Sequence, residues 1–278
     1  EHHNCKFIAT TKQIFDEVCA PNPLSHAFLI HSPDETKPLG YAFYSLPWTL
    51  DGRTLYLEDI CADKTVRGGR GVGTFGFQAL NDIALNEGCK AINWVVMRNN
   101  DKTLGFYNKI GAHFTPKSNY DLSDIFTHKS RIGSRGAYTT EKVDDSNIVL
   151  PMHFNNVNDD PYSSLLMVKD ADGDPAALVM TNECFSTFRG VRGTQVEPVR
   201  FFQNFPLREA KKVWASAFHA VCDDAEARGA AGHMYAYAKH KCTASDKFLQ
   251  KVAPAKLQMN DDPDSVLVSM SLKLKPAP

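Results

Sequence analysis

The sequence predicts an α/β fold in which a mixed, mostly antiparallel sheet is flanked by helices, and it predicts two such modules in tandem. Three observations support this prediction. Strand patterns alternate with helix patterns, the order β-β-β-α-β-α-β of the second half runs close to that of the first half, and a chain of 278 residues suits one large or two medium domains. Hydrophobic residues make up 43% of the chain, enough for an ordinary buried core.

The first half contains the more regular set of elements. Apolar periodicity and turn residues predict a helix over 11–20, strands over 27–31, 39–46 and 54–62, a helix over 74–87, a strand over 91–97 and a helix over 101–110. Asp51-Gly52 is a strong hairpin signal. Asp101 is a candidate helix cap, and Gly88 and Gly111 are typical of positions just beyond a helix end.

Residues 116–136 are polar and predict an irregular linker between a first module, 1–115, and a second module, 137–278. The elements predicted beyond the linker are strands over 164–168, 176–185 and 195–202, a helix over 207–228, a strand over 233–238, a helix over 244–252 and a strand over 266–274. This order is close to that of the first half and indicates an internal duplication.

Composition limits the partners and the compartment. The formal net charge of −1 provides no sequence-wide basic field for nucleic acid or membrane. No apolar run is long enough to predict a transmembrane helix. The seven cysteines are scattered without a CxxC pair, which favours reduced thiols and therefore a cytoplasmic location.

The strongest local signal is a strand, then a glycine-rich loop, then a helix start, in the segment Arg67-Gly68-Gly69-Arg70-Gly71-Val72-Gly73. Unpaired N–H groups at a helix N-terminus bind phosphate, and glycines allow close approach. Residues 71–76 also match GxGxxG, although a glycine-rich loop without a ligand is a fair alternative. A Rossmann strand is apolar, whereas this one carries Glu58 and Asp59, so an NADP-binding oxidoreductase is a distant possibility.

Together with Leu55–Ile60 and Gly105–Ala112, this loop resembles the GNAT acetyltransferase superfamily, and within it the diamine acetyltransferase branch that includes the spermidine/spermine and thialysine enzymes. The resemblance covers about residues 24–114. It implies tandem GNAT-like modules and an N-acetyltransferase that transfers acetyl from acetyl-CoA to a small primary amine. The family fold opens with a strand and a helix that this sequence does not show, which leaves two alternatives, a fragment or a strand supplied by another segment.

The reaction defines what the site must contain. A lysine-like amine has a pKa of about 10.4, so freeing it of its proton at pH 7 costs roughly 4–5 kcal/mol and calls for a base. The resemblance implies that Glu58 is this base, acting through water, and that Tyr107 protonates the departing thiolate. The alternatives are a solvent-facing strand carboxylate and a core tyrosine.

The resemblance also implies a set of cofactor contacts. They are Ile60, Ala62, Arg67, Gly68, Gly69, Arg70, Gly71, Val72, Gly73, Thr74 and Asn100. The loop is one residue longer than the family loop, so either Arg67 or Arg70 is the candidate for the diphosphate. Asn100 has the alternative role of a helix cap.

Trp48 and Asp59 are the candidate substrate-binding residues, with a core role and a structural ion-pair role as their alternatives. Leu46 stands where the resembled branch has an acidic residue. That difference disfavours long polyamines and favours a shorter or less cationic amine.

The second half has no glycine cradle. Its long helix follows Phe202-Gln203-Asn204-Phe205-Pro206, and residues 189–193 are interpreted as a hairpin turn. The spacing of His233, His240 and Cys242 fits no zinc pattern, so no metal is expected. We expect a degenerate module that packs on the first as a second subunit would, giving a monomer with an intramolecular pseudo-dimer. The rival functions are a non-catalytic acyl-CoA sensor or scaffold, and a protein lysine or N-terminal acetyltransferase.

Overall fold

The computed structural model describes residues 8–34, 36–68, 70–115, 117–122, 124–143, 157, 159–187, 189–202, 205–239, 243–252 and 267–275. The elements of the first half are α1 (Thr11–Val18), β1 (His26–His31), β2 (Pro38–Ser45), β3 (Trp48–Thr49), β4 (Gly52–Arg53), β5 (Leu55–Ala62), α2 (Val72–Asn86), β6 (Ala91–Met97), α3 (Asp101–Ile110) and β7 (His113–Phe114). These bounds lie within two residues of the predicted ones. The cap of α3 differs, because Asn100 rather than Asp101 accepts the capping hydrogen bond.

The elements of the second half are β8 (Lys117–Asp121), β9 (Thr139–Lys142), β10 (Ser163–Lys169), β11 (Pro175–Ser186), β12 (Val191–Val196), β13 (Arg200–Phe201), α4 (Ala210–Ala227), β14 (Met234–Lys239), α5 (Thr243–Val252) and β15 (Leu267–Lys273). The strand predicted over 195–202 is broken at Pro198, which has no N–H to donate to a ladder. The hairpin turn predicted over 189–193 ends earlier, at Gly190 with its φ of 68°, and β12 begins at Val191.

Two mixed sheets repeat one topology. In the first sheet, α2 joins the parallel strands β5 and β6, and in the second sheet α4 joins the parallel strands β12 and β14. An antiparallel meander precedes each of these crossovers, namely β1-β2-β5 and β10-β11-β12. The second half has the predicted order β-β-β-α-β-α-β along the chain, and the first half adds the short strand β7 to its predicted elements.

The two halves exchange strands. The first sheet has the order β1-β2-β5-β6-β15-β7, so the last strand of the chain pairs with β6 from the first half. The second sheet has the order β8-β14-β12-β11-β10-β9, so β8 joins the second half. The irregular linker predicted over 116–136 is therefore wrong at β8. The sequence of β8 is polar and lacks the apolar alternation of a typical strand. Its pairing comes from backbone hydrogen bonds to β14, which is distant in sequence.

The core of the first sheet lies between the sheet and helices α2 and α3. Apolar residues of β5 and β6 pack against Phe77, Leu80 and Tyr107 of these helices. A second core surrounds α4, with Trp214 and Phe218 fully buried. Tyr120 and Leu122, from the segment predicted as a linker, belong to this second core.

The hairpin β3–β4 ties the halves together. The backbone N–H of Trp48 donates to Asn182 Oδ1 at 2.9 Å, and Asn182 Nδ2 donates to the Trp48 carbonyl at 2.8 Å. The Trp48 ring packs with residues of β10 and β11, among them Leu165 and Met180. Arg192 makes an ion pair with the buried Glu17 at 3.2 Å across the same junction.

Two further expectations from the sequence concern membrane spans and metal sites. Across the described ranges, no helix is both long enough and apolar enough to cross a membrane. The same ranges contain no group of three His, Cys, Asp or Glu residues that could hold a metal ion. His240 and Cys242, two of the residues whose spacing was compared with zinc patterns, lie outside the described residues.

Candidate active site

A bulge in β5 places Glu58 at a break in the first sheet. Phe43 of β2 lies opposite Asp59 and Tyr44 lies opposite Leu57, so Glu58 has no opposite residue in β2. The bulge also shifts the side-chain alternation. Leu57 packs in the core before it, and Ile60 rather than Asp59 packs there after it.

The parallel strands β5 and β6 separate at the same point. Their pairing covers Leu55 with Ile92, Tyr56 with Asn93 and Leu57 with Trp94, and it ends there. Beyond Leu57, β5 continues along β2, while β6 continues along β15. The edge of β5 that faces the opening, from Glu58 to Ala62, is left with backbone groups that no described strand pairs, and such groups are available to an extended ligand.

The N-terminus of α2 lies just after this opening. Gly71 caps the helix in the left-handed region with φ 79°, and Gly68 has φ 85°. A Cβ at either glycine would meet nothing within 4 Å, so the loop is open on its outer side. Within the described residues, no backbone carbonyl accepts from the N–H groups of Val72, Gly73 and Thr74, the first three of the helix. This loop fits a diphosphate.

Close packing holds α2 against its neighbours. A Cβ on Gly76 would come within 3.0 Å of Ile60 Cδ1, and one on Gly73 would come within 3.3 Å of the Phe106 ring. Both glycines therefore let the helix approach β5 and α3 closely. Val72 is buried with Ile30 and Val66, so the start of the helix is anchored in the core.

The two candidate arginines differ in their surroundings. Arg67 donates through Nε to the Ala62 carbonyl at 2.8 Å and through Nη2 to Cys61 Sγ at 3.1 Å. Arg70 is exposed and makes no hydrogen bond or ion pair with another described residue. Gly69, the residue between Gly68 and Arg70, lies outside the described residues.

Glu58 is half-buried, and burial raises the pKa of its carboxyl to about 7, with a further contribution from the charge of Asp59. A carboxyl with this pKa is partly ionised at neutral pH and can both accept and release a proton there. The charge of Glu58 also affects a residue in the second half of the chain. Burial raises the pKa of Cys184 on β11 well above the ordinary thiol value, and the charges of Glu58 and Glu183 add to the effect.

Tyr107 is buried on α3 beside Trp94, with ring centroids 4.9 Å apart. Burial raises the pKa of its hydroxyl to about 12, and the charge of Asp59 adds to the effect. A phenol with that pKa keeps its proton at physiological pH and can donate it. The hydroxyl makes no hydrogen bond with the rest of the described chain. Asp59 itself accepts a hydrogen bond from Tyr41 at 2.9 Å.

The remaining candidates have structural partners. Asn100 caps α3 by accepting from the Thr103 N–H at 3.4 Å. Trp48 lies away from the strand opening, at the junction of the two halves, where its Nε1 donates to Asp160 at 3.0 Å. The structure thus places Glu58 and Asp59 where β5 and β6 separate, packs α2 against Ile60 beyond them, and packs Tyr107 against Trp94, the last residue of β6 that pairs with β5. It places Trp48 in a cavity between the halves instead.

The second sheet lacks an equivalent cradle among the residues that the structure describes. A short 3-10 turn, Leu207–Glu209, leads into α4, whose cap residue Glu209 makes no side-chain capping bond. Phe205 stacks on Phe201 with ring centroids 5.0 Å apart where the first sheet has its glycine loop. The electrostatic effect of Glu58 on Cys184 was not predicted, because nothing in the local sequence of β11 specifies which strand it faces.

The opening, the helix start, Glu58 and Tyr107 all belong to the α/β elements of the first half. Residues 4–112 match the model of the Acetyltransferase (GNAT) family, and this part of the chain is a GNAT domain. Thialysine N-epsilon-acetyltransferase from Mus musculus is 34% identical over 112 residues, which are 38% of this chain and 65% of that relative. Spermidine/spermine N(1)-acetyltransferase-like protein 1 from Homo sapiens is 29% identical over 99 residues, 33% of this chain and 14% of that protein.

The chain therefore spans less than two thirds of the length of these curated relatives. Among solved structures, a tandem GNAT protein from the clavulanic acid biosynthesis pathway aligns with 96% of this chain and 88% of its own, at 11% identity and a TM-score of 0.45. A GCN5-related glucosamine N-acetyltransferase region of a fungal multi-domain β-N-acetylglucosaminidase aligns with 95% of this chain and 34% of its own, at 12% identity and a TM-score of 0.49.

Proposed function

We propose that this protein is an acetyl-CoA-dependent N-acetyltransferase that acetylates a small primary amine at the opening between β5 and β6. The observation that carries the proposal is the coincidence of that opening with the unpaired N–H groups at the start of α2. The GNAT match over residues 4–112 supports it. The relatives' names mention thialysine and spermidine or spermine, which supports an aliphatic amine as the acceptor class.

Bound acetyl-CoA would supply an activated acetyl group as a thioester. The N–H groups of Val72, Gly73 and Thr74 would hold the diphosphate, with Arg70 as the available cation and Gly68 and Gly71 leaving room for it. The edge of β5 at Ile60 and Ala62 would bind the extended arm of the molecule, with the Ala62 carbonyl already accepting from Arg67. Asn100, already committed to capping α3, would contribute through its remaining polar atoms.

Glu58 would accept the proton that the ammonium of the acceptor must lose, directly or through water. The C–N bond forms as the C–S bond breaks, and Tyr107 would donate its proton to the departing thiolate. A base with a pKa of about 7 and an acid with a pKa of about 12 are suited to these opposite tasks at neutral pH. Asp59 would hold the positive charge of the acceptor, or keep Tyr41 in place for it.

We also propose that the chain acts as a monomer in a reducing, cytoplasmic compartment. The strand exchange satisfies within one chain the edge pairing that a second subunit would otherwise provide. All the cysteines within the described ranges are free thiols, which supports the reducing compartment. Sedimentation of the intact chain would test the first point, and a dimer at micromolar concentration would contradict it.

The direct test of the function is acetyl transfer by the intact chain across a panel of amines, followed by thiol release from acetyl-CoA. The panel would contain aliphatic monoamines, diamines, lysine and lysine-containing peptides. We expect transfer to at least one small amine and much weaker transfer to the peptides. Thiol release that no amine stimulates would contradict the proposal, and tight acetyl-CoA binding without any transfer would indicate a sensor instead.

A further inference from the structure

Trp94 carries a buried hydrogen-bond donor that has no acceptor among the described residues. Its side chain is 2% exposed, its Nε1 lies out of reach of solvent, and no described residue accepts a hydrogen bond from it. A buried indole N–H usually has a partner, because a hydrogen bond left unmade in an apolar core costs free energy. The indole of Trp48, by contrast, donates to Asp160 at 3.0 Å. The unpaired N–H of Trp94 is therefore a candidate for contact with a ligand.

The place of Trp94 in the sheet is the point where the candidate site opens. Trp94 is the last residue of β6 that pairs with β5, and its partner Leu57 directly precedes Glu58. Beyond Trp94, β6 continues along β15, and no described strand pairs with its edge toward β5. Trp94 therefore stands at the inner end of the groove between the two strands.

The two helices beside the groove hold the Trp94 ring. Phe77 of α2 and Tyr107 of α3 meet it edge to face, with ring centroids 5.2 Å and 4.9 Å away. Aromatic faces are weak acceptors for an N–H group, so these contacts do not replace a hydrogen bond. The Tyr107 hydroxyl also makes no hydrogen bond with the described chain. Two neighbouring rings thus each carry a donor that one ligand atom with several lone pairs would satisfy.

The second sheet has a different residue at the equivalent place. Its parallel strands β12 and β14 end their pairing at Val196 and Ala236, which correspond to Leu57 and Trp94 in the first sheet. Ala236 is fully buried and has no polar side-chain atom. The described part of this half also has no glycine cradle at the start of its crossover helix α4. The donor and the cradle occur together in the first half, which links the donor to the ligand that the cradle would bind.

Resting on the proposed function, we propose that the indole N–H of Trp94 donates a hydrogen bond to the sulfur of acetyl-CoA as the C–S bond breaks, which makes Trp94 a second donor beside Tyr107. The electron pair of the C–S bond goes to the sulfur while the C–N bond forms at the acyl carbon. Tyr107 transfers its proton to the sulfur, whereas Trp94 keeps its proton and stabilises the negative charge that develops there. A hydrogen bond to the charged sulfur is stronger than one to the neutral thioester, so the contact favours the transition state.

The test compares calorimetric binding of CoA and of desulfo-CoA, which lacks the sulfur, to the intact chain at pH 7 and pH 9. We expect wild type to prefer CoA more strongly at pH 9, because an ordinary thiol ionises near pH 8.5. Trp94→Phe keeps an aromatic ring and removes the N–H. It should cancel about tenfold of that preference, the value of one hydrogen bond to a charged group, and leave the Kd of desulfo-CoA unchanged. Trp214→Phe, the same substitution in the core of the second half, is the matched control and should change neither Kd.

The indole N–H resonances of wild type provide a second measurement. The sequence contains three tryptophans, so nitrogen–proton correlation spectra contain three such signals, and the one lost in Trp94→Phe belongs to Trp94. If that variant does not fold, Trp48→Phe and Trp214→Phe identify the signal by elimination. We expect the Trp94 signal to move downfield when CoA binds at pH 9 and to move much less with desulfo-CoA.

The binding measurements keep this proposal separate from the proposed function. CoA binding that requires both the sulfur and Trp94, in a chain that transfers no acetyl group, would support the contact and contradict the enzyme. Acetyl transfer together with a Trp94 signal that CoA does not move would support the enzyme and overturn this proposal. An equal loss of affinity for CoA and desulfo-CoA in Trp94→Phe would also overturn it, because the ring would then only shape the site. Binding of neither ligand by wild type would contradict both proposals.

Discussion

Leu57 and Trp94 are the last paired residues of the parallel strands β5 and β6, and Glu58 directly follows this pair in a bulge. One feature of the backbone therefore produces two parts of the site. The pairing of β5 with β6 ends here, which opens a groove between the two strands. The bulge also changes the direction of the Glu58 side chain, which we propose as the base. Tyr107 packs against Trp94, so the residue that we propose as the proton donor lies beside the position where the pairing of β5 and β6 ends.

Tyr107→Phe should lower kcat about 10²–10⁴-fold with little change in the Kd for acetyl-CoA, since the hydroxyl is used only when the thiolate leaves. Steady-state kinetics with calorimetric binding of acetyl-CoA would measure both quantities. Phe106→Leu on the same helix is a suitable control, because it perturbs packing without removing a proton donor. A Tyr107→Phe protein with wild-type turnover would exclude Tyr107 from the chemistry.

Glu58→Gln should reduce kcat/KM most near pH 7 and progressively less toward pH 10. In wild type the rate should rise through about pH 7 as the carboxyl, with its raised pKa, loses its proton. In the variant only acceptor amine that is already unprotonated reacts. The unprotonated fraction of the amine grows as the pH approaches its pKa of about 10.4. A defect of constant size across this range would mark Glu58 as structural.

The same substitution should stabilise the protein at alkaline pH. The raised pKa means that the native state holds the Glu58 proton more tightly than the unfolded chain, so stability is lost as pH rises from the ordinary carboxyl value through about 7. A neutral amide at this position removes that loss. We therefore expect the free energy of unfolding of Glu58→Gln to exceed that of wild type by about 1–3 kcal/mol at pH 8 and by almost nothing at pH 4. Urea unfolding of both proteins at the two pH values is the measurement. The idea fails if the difference is independent of pH.

Arg70→Ala should weaken acetyl-CoA binding about tenfold, which corresponds to one charge-assisted hydrogen bond. Arg67→Ala should weaken it less, because the Arg67 guanidinium is engaged with Ala62 and Cys61 at the end of β5. Calorimetric titration with desulfo-CoA, which has no thiol to carry an acetyl group, would compare the two variants' Kd values without turnover. A larger effect at Arg67 would show that its present contacts are given up when the diphosphate binds.

The sequence was sufficient to predict an element and its bounds where local signals and tertiary packing favour the same structure. The bounds of β6 and α3 are as predicted, because apolar alternation, a following Gly111 and capping residues all indicate the same element. The cradle was predictable because Gly68 and Gly71 adopt left-handed conformations that favour glycine.

Long-range pairing could not be predicted in the same way. The alternating residues of β15 indicate a strand, yet they fit the side of β6 as well as that of β14, and only the assembled sheets decide between them. The cavity between the halves could not be predicted for a related reason. Its lining combines residues from distant parts of the chain, such as Leu46 and Glu183, and the fold alone brings them to one space.

The central claim is that the chain has one acetyl-CoA site and that it lies at the start of α2. Equilibrium titration of the intact chain with acetyl-CoA, for wild type and Gly71→Glu, tests it most directly. The carboxylate of the variant would enter the diphosphate position, and any Cβ at φ 79° is strained, so circular dichroism must first show that the variant is folded. We predict one site per chain in wild type and its loss in the folded variant. Two sites per chain, or one site of unchanged affinity in Gly71→Glu, would contradict the account.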